Sequence, residues 1–344
     1  MRAVLLAEGK LVVKDLPKPE PKPEEALIKL TTAGVCHSDL HLVKNDWPGF
    51  LPPVPIPMGH EGIGIVEELG PGADRFVQKG DRVILGLGGS GGGYWCGACE
   101  YCLSGRPRLC KQTKGIIGAY AEYISLWAKS LVKLPDTVSD MEVPLACGGL
   151  TGYSAVKKLL KFDVLPGKPV AILGAAGGLG HYGAQVARAF GYKVVGVDVG
   201  EERIKFMKDL GVDYAVDVTK AEKFCKEKLG GVYGSVVFAP KIAGFGLGLK
   251  LLRRGGVFVA VGMPPASEGP ISIGPLELLR IDPLIMSSAV GTVEEMRELV
   301  QLAADGKVKT HVGRTGTLSE IPQILEELEQ GKYFGRAVIT DMTK

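Results

Sequence analysis

The segment PVAILGAAGGLG, residues 169–180, decides the fold of the C-terminal part of the chain. Its apolar start predicts a strand, and the glycines after it predict a turn into an amphipathic helix that ends near Phe190-Gly191. A second strand pattern, Lys193 to Val197, ends at Asp198, 18 positions after the last glycine. A glycine triplet alone is weak evidence, but this strand–turn–helix context with an acidic residue is typical of a dinucleotide-binding βαβ unit. The glycines let the backbone approach a pyrophosphate, and the helix N-terminus offers it N–H groups.

Helix and strand patterns keep alternating after this unit, which favours an α/β fold with a six-stranded doubly wound sheet. The predicted helices cover residues 201–210, 220–229 and 243–252, and the further predicted strands cover residues 214–216, 235–238, 257–261 and 283–289. Two amphipathic helices, 292–304 and 319–330, and a last strand, 337–340, come after the sheet.

The N-terminal part has the pattern of a small β-rich domain. Prolines at 16–25 and 47–57 exclude helix interiors and central strands from two of its connections. Residues 86–93 are almost all glycine and serine, and such a run cannot hold one shape by itself. The predicted strands cover residues 3–6, 10–14, 26–31, 63–68 and 82–85.

Length and composition bound the class of protein. A chain of 344 residues fits two domains, and 46% hydrophobic with 23% charged residues is typical of a globular protein. The formal net charge is +3 without a basic cluster, so we expect no nucleic-acid partner. No apolar run approaches the roughly 18 residues of a membrane span. Seven cysteines in such a chain suit metal sites in a reducing compartment, and we therefore expect a soluble, cytoplasmic protein.

Four cysteines, Cys96, Cys99, Cys102 and Cys110, follow the glycine run at spacings short enough to reach one ion. Four thiolates saturate the tetrahedral coordination of zinc and leave no position for a substrate. We therefore predict a structural zinc site that stabilises a lobe with little core of its own; an iron–sulfur cluster and a redox pair are the alternatives. Cys225 lies in a predicted helix and is interpreted as structural.

The stretch Gly34-Val35-Cys36-His37-Ser38-Asp39-Leu40-His41 packs a thiol, a hydroxyl and two imidazoles into eight residues. Cys36 belongs to no close cysteine pair, so its metal-ligand partners must come from distant segments. His60, in Gly59-His60-Glu61, and Cys147, in Ala146-Cys147-Gly148-Gly149, are the candidates. Two cysteines and one histidine leave the fourth position of a zinc ion open, which is the arrangement of a catalytic site. Three unrelated buried residues are the alternative.

These motifs, with the segment from Cys147 to Tyr153, resemble the zinc-dependent medium-chain alcohol dehydrogenases, and most closely their microbial, yeast-like branch. The resemblance runs from Met1 to about Thr340. It implies a GroES-like catalytic domain of residues 1–148 and 290–344, with the structural-zinc lobe at about 91–112, and an NAD-binding Rossmann domain of residues 149–289.

The same resemblance implies the activity and the cofactors. The expected reaction is reversible hydride transfer between a primary, secondary or aromatic alcohol and NAD. Two zinc ions per subunit are expected, one catalytic and one structural. A homo-oligomer is also expected, with a tetramer favoured over a dimer, and the edge strand near residues 284–289 could pair across a two-fold axis.

The resemblance further assigns roles around the proposed catalytic zinc. Ser38 would accept the proton of the alcohol, and the path would continue through the cofactor ribose to His41, for which a surface imidazole is the alternative. Asp39 would hold the ligand His60 in one tautomer. Glu61 would stay close to the metal, or alternatively pair with a nearby cation.

Cofactor contacts are predicted from the βαβ motif and from the resemblance. A carboxylate at Asp198 accepts from both ribose hydroxyls and repels a 2′-phosphate, so NAD is favoured over NADP. Arg203 matches a basic family position near the adenosine, with a solvated helix charge as the alternative. The remaining predicted contacts are His37 and Arg336 at the pyrophosphate, Thr151 and Val261 at the nicotinamide, and the motif residues Gly174, Gly177, Gly178, Leu179 and Gly180.

The substrate pocket is where the chain departs from the family pattern. The connection after Cys110 is shortened and the glycine run before Cys96 is lengthened, both near the expected substrate entrance. Trp47 matches a pocket position, or alternatively anchors its own loop, and Leu87 is expected to face it. The resulting hypothesis is a roomy pocket for larger primary or aromatic alcohols.

Rival functions remain open at this point. A polyol dehydrogenase and a formaldehyde dehydrogenase of the same superfamily are the rivals within enzymes. A non-catalytic nucleotide-binding relative is the alternative of a different class. The complete set of Cys36, His60 and Cys147, with Ser38 beside it, argues against that alternative because a structural role needs none of these residues.

Overall fold

The computed structural model describes residues 1–50, 53–86 and 89–344, with the backbone alone at 89–92. The chain divides into two compact units. The first consists of Met1–Leu150, Val290–Gly306 and Thr310–Lys344, and the second of Thr151–Ala289 and Lys307–Lys309. Within the described residues, none of the helices combines the length and the apolar character that crossing a bilayer requires.

The elements are numbered in chain order. The strands are β1 Arg2–Ala7, β2 Lys10–Asp15, β3 Glu25–Val35, β4 Ile56–Pro57, β5 Glu61–Leu69, β6 Arg82–Leu85, β7 Gly89–Tyr94, β8 Lys114–Ile116, β9 Tyr123–Trp127, β10 Leu131–Lys133, β11 Pro169–Leu173, β12 Lys193–Asp198, β13 Tyr214–Asp217, β14 Val232–Val237, β15 Leu252–Ala260, β16 Leu284–Ser287, β17 Val312–Thr317 and β18 Arg336–Asp341. The α-helices are α1 His37–Lys44, α2 Glu100–Leu103, α3 Gly148–Leu160, α4 Gly180–Ala189, α5 Glu201–Asp209, α6 Val218–Leu229, α7 Ile242–Leu251, α8 Pro275–Ile281, α9 Val293–Ala304 and α10 Ile321–Glu329.

The main sheet of the first unit fixes the start of the polar stretch around Cys36. Its strand order is β10-β6-β5-β3-β18-β17, and β9 also pairs with β3. At the C-terminal end of β3, Gly34 pairs with Glu61 in β5 on one side and with Val338 in β18 on the other. The chain leaves the sheet at Cys36 and enters α1. Sheet register therefore brings the ends of three strands that are distant in sequence to one edge of the unit.

The second unit is the doubly wound sheet that the glycine motif predicts. All its neighbouring strands are parallel, and the strand order is β13-β12-β11-β14-β15-β16. The order reverses between β11 and β14, and in such sheets ligands bind at the carboxyl ends of the strands beside this reversal. The apolar run of β11 is buried, as expected for a central parallel strand. The predicted fold class is confirmed.

Helices α1, α3 and α8 and strands β7 to β10 were not predicted from the sequence. Two further differences concern strands whose residues lack an apolar pattern. β15 begins at Leu252, where the sequence analysis placed the end of a helix and started the strand only at 257. Its first part contains Arg253-Arg254-Gly255-Gly256 and is mostly exposed, so no apolar pattern marks it. β17, Val312–Thr317, was not predicted, because its sequence VGRTGT has two glycines and only one large apolar residue. Its hydrogen bonds with β18 supply what local propensity lacks.

Candidate active site

The first residue of the site, Cys36, lies at the junction of β3 and α1. It is the N-cap of α1, with extended backbone angles of φ −112° and ψ 147°. Its backbone N–H donates to Asp39 Oδ2 over 3.1 Å, so the first turn of the helix is closed by an acidic side chain. The Cys36 side chain is 2% exposed. The helix start therefore holds the thiol in the interior.

Four potential metal ligands from three segments meet here. Cys36 follows β3, His60 and Glu61 begin β5, and Cys147 follows a 3₁₀ helix of residues 140–146. One ligand atom from each of the four side chains lies within 4.8 Å of the others, and all four residues are buried. A hydrogen bond with Cys147 lowers the pKa of the Cys36 thiol well below its usual range. The alternative of unrelated buried residues does not fit this geometry.

His60 supplies the test of whether a metal fits. Its Nδ1 lies 3.2 Å from Asp39 Oδ1, and its buried Nε2 has no hydrogen-bond partner among the described residues. Burial alone lowers the pKa of His60, yet the Asp39 carboxylate and Cys36 raise it well above its ordinary value. A buried ring nitrogen without a partner is costly unless a metal satisfies it. Two thiols and this nitrogen are a donor set that suits zinc.

The carboxylate of Glu61, besides being a potential metal ligand, forms an ion pair with Arg336. Arg336 Nη2 lies 2.6 Å from Glu61 Oε1 and 2.7 Å from Oε2, and it donates also to the carbonyl of Val35. Burial raises the pKa of Glu61 to about 7, against the lowering effect of Arg336. A Cβ at Gly34 would lie 2.0 Å from Glu61 Oε2, so only glycine fits there. The arginine predicted at the pyrophosphate thus has a second, structural contact; its cofactor role stays a prediction.

Tyr120 is a residue of the site that the sequence analysis missed. It is fully buried, and its hydroxyl donates to Asp39 Oδ2 over 2.6 Å. A Cβ at Gly59, whose φ is +83°, would lie 2.5 Å from the Tyr120 ring. Tyr120 is 81 residues from Asp39, so no local pattern could have revealed the contact. The sequence predicted the Asp39 contact with His60, but not the residue that holds Asp39.

His41 lies in the last turn of α1, and two of its side-chain partners come from the loop that follows the helix. The residue is 7% exposed, which excludes the surface imidazole considered as an alternative. His41 Nδ1 lies 2.6 Å from Asp46 Oδ2, a partner that the sequence analysis did not assign. Trp47 packs with its ring centroid 4.5 Å from that of His41 and 5.7 Å from that of Phe50. Trp47 therefore has the contacts of a loop anchor, and Leu87, its predicted neighbour, lies outside the described residues.

Ser38 and His41 are three residues apart on α1, which places both on one face of the helix. His37, one residue earlier than Ser38, is exposed, and its ring centroid is 4.8 Å from that of His41. The predicted relay residues therefore come from a single short helix. Their roles in proton transfer stay a prediction.

The four-cysteine lobe forms a second candidate metal centre in the same unit. The sulfur–sulfur distances are 3.5 Å between Cys99 and Cys102, 3.5 Å between Cys96 and Cys110, and 3.9 Å between Cys96 and Cys102. Ligands about 2.3 Å from a tetrahedral zinc lie about 3.8 Å apart. A disulfide would need about 2.05 Å, and an iron–sulfur cluster would place a larger core between the sulfurs. The cysteine cluster fits a single zinc ion.

In the second unit the glycine motif has the shape that a pyrophosphate requires. Gly174 has φ +76°, and a Cβ at Gly180 would lie 1.9 Å from the carbonyl oxygen of Gly174. Asp198 ends β12, and its Oδ2 accepts from the backbone N–H of Ala176 over 2.9 Å. Arg203 Nη1 lies 3.3 Å from Asp198 Oδ1, and the predicted position of Arg203 near the adenosine stays a prediction. The other predicted cofactor residues of this unit include Thr151 and Val261, which are 6% and 8% exposed.

Comparison with known proteins agrees with this geometry. Residues 22–136 match the model of the alcohol dehydrogenase GroES-like domain, and residues 178–305 match that of the zinc-binding dehydrogenase. An alcohol dehydrogenase of Geobacillus stearothermophilus is 40% identical, over 98% of this chain and 99% of that protein. The alcohol dehydrogenase structure from Aeropyrum pernix covers 99% of this chain and 100% of its own, with 33% identity and a TM-score of 0.87.

A third similar structure is the acetophenone reductase of Geotrichum candidum in complex with NAD. It covers 99% of this chain and 97% of its own, with 28% identity and a TM-score of 0.84. A doubly wound parallel sheet and a β-rich unit with two cysteine-containing metal centres define a zinc-dependent dehydrogenase. The chain belongs to the zinc-dependent alcohol dehydrogenase family. The resemblance stated from the sequence motifs is confirmed.

Proposed function

We propose that this chain oxidises alcohols reversibly with NAD, primary alcohols first and secondary and aromatic alcohols as further substrates. The observation that carries the proposal is the buried cluster of Cys36, His60 and Cys147, in which His60 Nε2 has no hydrogen-bond partner in the part of the chain that the structure describes. A zinc ion held there would act as a Lewis acid that makes an alcohol in its open position easier to deprotonate. A polyol or formaldehyde dehydrogenase is not favoured, because three relatives that are 37–40% identical over 98% of this chain are named alcohol dehydrogenases.

The protein's own groups orient the reactants and move the proton. Asp39 Oδ1 lies 3.2 Å from His60 Nδ1, which leaves Nε2 as the nitrogen that would bind the metal. Ser38 takes the proton of the alcohol, and His41 passes it to solvent. Bound NAD would supply the acceptor for the hydride of the alcohol carbon, so that the alcohol would become a carbonyl compound. Burial of the whole cluster excludes water that would otherwise compete for the proton.

The cofactor is NAD rather than NADP because of one carboxylate. Asp198 is 6% exposed and lies at the end of β12, where the ribose of the adenosine is recognised in this fold. A negative charge there accepts hydrogen bonds from the ribose hydroxyls and repels a 2′-phosphate. The NAD complex of the Geotrichum candidum relative supports the same choice.

The substrate class is argued from relatives and from Trp47. The relatives named alcohol dehydrogenase favour simple alcohols, and the relative named acetophenone reductase favours aromatic and secondary substrates as well. Trp47 offers an apolar ring beside His41 that suits a hydrocarbon or aromatic group. The roomy pocket predicted from the sequence is retained as part of this proposal.

Exposed apolar side chains and free cysteines bear on the assembly and the location of the protein. Four large apolar side chains of α8 and the edge strand β16 are strongly exposed: Leu276 at 70%, Leu279 at 74%, Leu284 at 47% and Ile285 at 53%. Strongly exposed apolar side chains, together with β16 as the outermost strand of the sheet, favour association with a second copy. We therefore propose a homo-oligomer, a tetramer rather than a dimer. All seven cysteines are free thiols, which suits a cytoplasmic location.

The decisive experiment measures zinc per subunit and NAD reduction for wild type, Cys147→Ser and Cys225→Ala. The substrates are ethanol, hexanol, benzyl alcohol, 2-propanol and sorbitol. We expect about two zinc ions and activity in wild type and in Cys225→Ala, which changes a buried cysteine of the second unit that belongs to neither candidate metal cluster, and about one zinc ion without activity in Cys147→Ser. A Cys147→Ser protein that keeps both ions or its activity would refute the assignment of the site.

A further inference from the structure

The segment that ends α1 is built to hold His41. Asn45 follows the helix in the left-handed conformation, with φ 53°, and turns the chain back towards it. The backbone N–H of Asp46 then donates to the carbonyl of His41 over 3.0 Å. Asp46 Oδ2 lies 2.6 Å from His41 Nδ1. The backbone of Asp46 thus contacts the backbone of His41, and its carboxylate contacts the imidazole.

The imidazole is also enclosed by neighbouring rings. The side chain of His41 is 8% exposed and that of Asp46 is 24% exposed. The ring of His37 lies 4.8 Å from that of His41, and the ring of Trp47 lies 4.5 Å from it. Rotation of the imidazole would break the short contact with Asp46 and these ring contacts. The ring orientation is thus set by the protein before any ligand binds.

The chemistry of the contact fixes the tautomer. An ionised carboxylate only accepts hydrogen bonds, so Nδ1 of His41 carries the hydrogen and Nε2 is the basic nitrogen. The position of Asp46 gives no helix-capping benefit, because a negative charge just beyond a helix C-terminus opposes the helix dipole. The charge of Asp46 is therefore explained by His41 and not by the stability of α1.

We propose that Asp46 is a positioning residue for proton release through His41, an inference that rests on the proposed function. Oxidation of the alcohol gives a carbonyl compound, reduced cofactor and one proton. That proton forms a bond with the lone pair of His41 Nε2, and the imidazolium is stabilised by the Asp46 carboxylate. The N–H bond at Nε2 then breaks, and the proton passes to water. Asp46 keeps its charge throughout, and the Nδ1 hydrogen stays in place.

The tautomer is tested directly by ¹⁵N nuclear magnetic resonance of protein labelled at histidine. The chain has five histidines, so His41 can be assigned by comparing wild type with His41→Gln. We expect the Nδ1–H tautomer in wild type and in Asp46→Asn, whose amide oxygen still accepts, and a shift towards the Nε2–H form in Asp46→Ala. An unchanged His41 tautomer in Asp46→Ala would overturn the proposal.

Steady-state kinetics test the relay role of Asp46. We expect Asp46→Ala to lower kcat for alcohol oxidation on the order of tenfold, less than full loss of a general base, because His41 itself is retained and only its orientation is lost. Both KM values should change less than about twofold, and Asp46→Asn should recover part of kcat. In a His41→Gln background, Asp46→Ala should have no further effect.

Glu329→Gln is the matched control, since Glu329 forms an ion pair with Lys44 in the last turn of the same helix. It should leave kcat unchanged. Additive effects of Asp46→Ala and His41→Gln in an active enzyme would overturn this inference alone. A zinc-loaded wild type that oxidises no alcohol would overturn the proposed function and the relay role with it.

Discussion

The Tyr120 hydroxyl donates a hydrogen bond of 2.6 Å to the Asp39 carboxylate in the interior of the first unit. The other oxygen of that carboxylate faces His60 Nδ1. A neutral phenol thus anchors a buried charge that in turn orients a metal ligand. The contact helps Asp39 to be almost fully buried, at 1% exposure, because it satisfies one oxygen of the carboxylate while His60 lies beside the other.

Tyr120→Phe should therefore weaken zinc binding more than it changes the fold. The variant leaves Asp39 Oδ2 with one hydrogen bond fewer, which costs about 1–3 kcal/mol of the free energy of unfolding. Because Asp39 holds His60, we expect the catalytic zinc to bind on the order of tenfold more weakly, as measured by competition with a chelator. Tyr192→Phe is the control: Tyr192 donates to the carbonyl of Val164 over 2.7 Å in the second unit. It should lose stability but keep its zinc; equal zinc affinity in both variants would contradict the role of Tyr120.

Asp198→Ser should shift the cofactor preference. The change removes the charge that repels a 2′-phosphate and leaves Arg203 without its carboxylate partner. We expect KM for NAD to rise on the order of tenfold and NADP to become a usable cofactor. Asp217→Asn is the control, because Asp217 ends β13 beside Asp198 in the sheet register. The ratio of kcat/KM values for the two cofactors should stay constant in this control, and a constant ratio in Asp198→Ser would count against the assignment.

Cys110→Ser should unfold the cysteine lobe without destroying the catalytic centre. No side chain of α2, Glu100–Leu103, is buried, so the lobe has little apolar core, and metal binding replaces that core. We expect loss of one zinc ion and new protease cleavage within residues 96–110, detected by mass spectrometry. Catalytic zinc should be retained. A cleavage pattern identical to that of wild type would show that zinc does not stabilise the lobe.

Cys225 should resist alkylation until the pH is strongly alkaline. Burial raises the pKa of its thiol to about 11, so at pH 8 almost none is thiolate. The pKa of the Cys225 thiol is higher in the folded than in the unfolded protein, so the protonated thiol contributes to the free energy of unfolding. This contribution is complete below about pH 8.5 and is lost as the pH rises towards 11. Between these pH values the melting temperature of wild type should fall more than that of Cys225→Ala. Rapid labelling of the Cys225 peptide by iodoacetamide at pH 8 in native protein would contradict the prediction.

Much of the molecule was readable from local patterns. The run from Pro169 to Gly180 predicted the doubly wound sheet, and the spacing from Cys96 to Cys110 predicted a closed four-sulfur site with sulfur atoms in contact. Strand β17 and the start of β15 were not readable, because their glycines and arginines carry no apolar period. Leu87 and its neighbour lie outside the described residues, so the hypothesis of a roomy pocket stays a prediction.

The sequence by itself determined the secondary structure and the metal ligands that show in short segments of the chain. These are the alternation of strand and helix, the glycine turn, and the cysteines that are separated by two residues. Only the tertiary structure decided which distant polar groups satisfy each other. Glu61 and Arg336 are 275 residues apart, and Tyr120 and Asp39 are 81 apart. Apolar periodicity and turn preferences depend on residues that are neighbours in the chain. A buried charged group also needs a partner, but the register of the sheet decides which distant residue lies beside it.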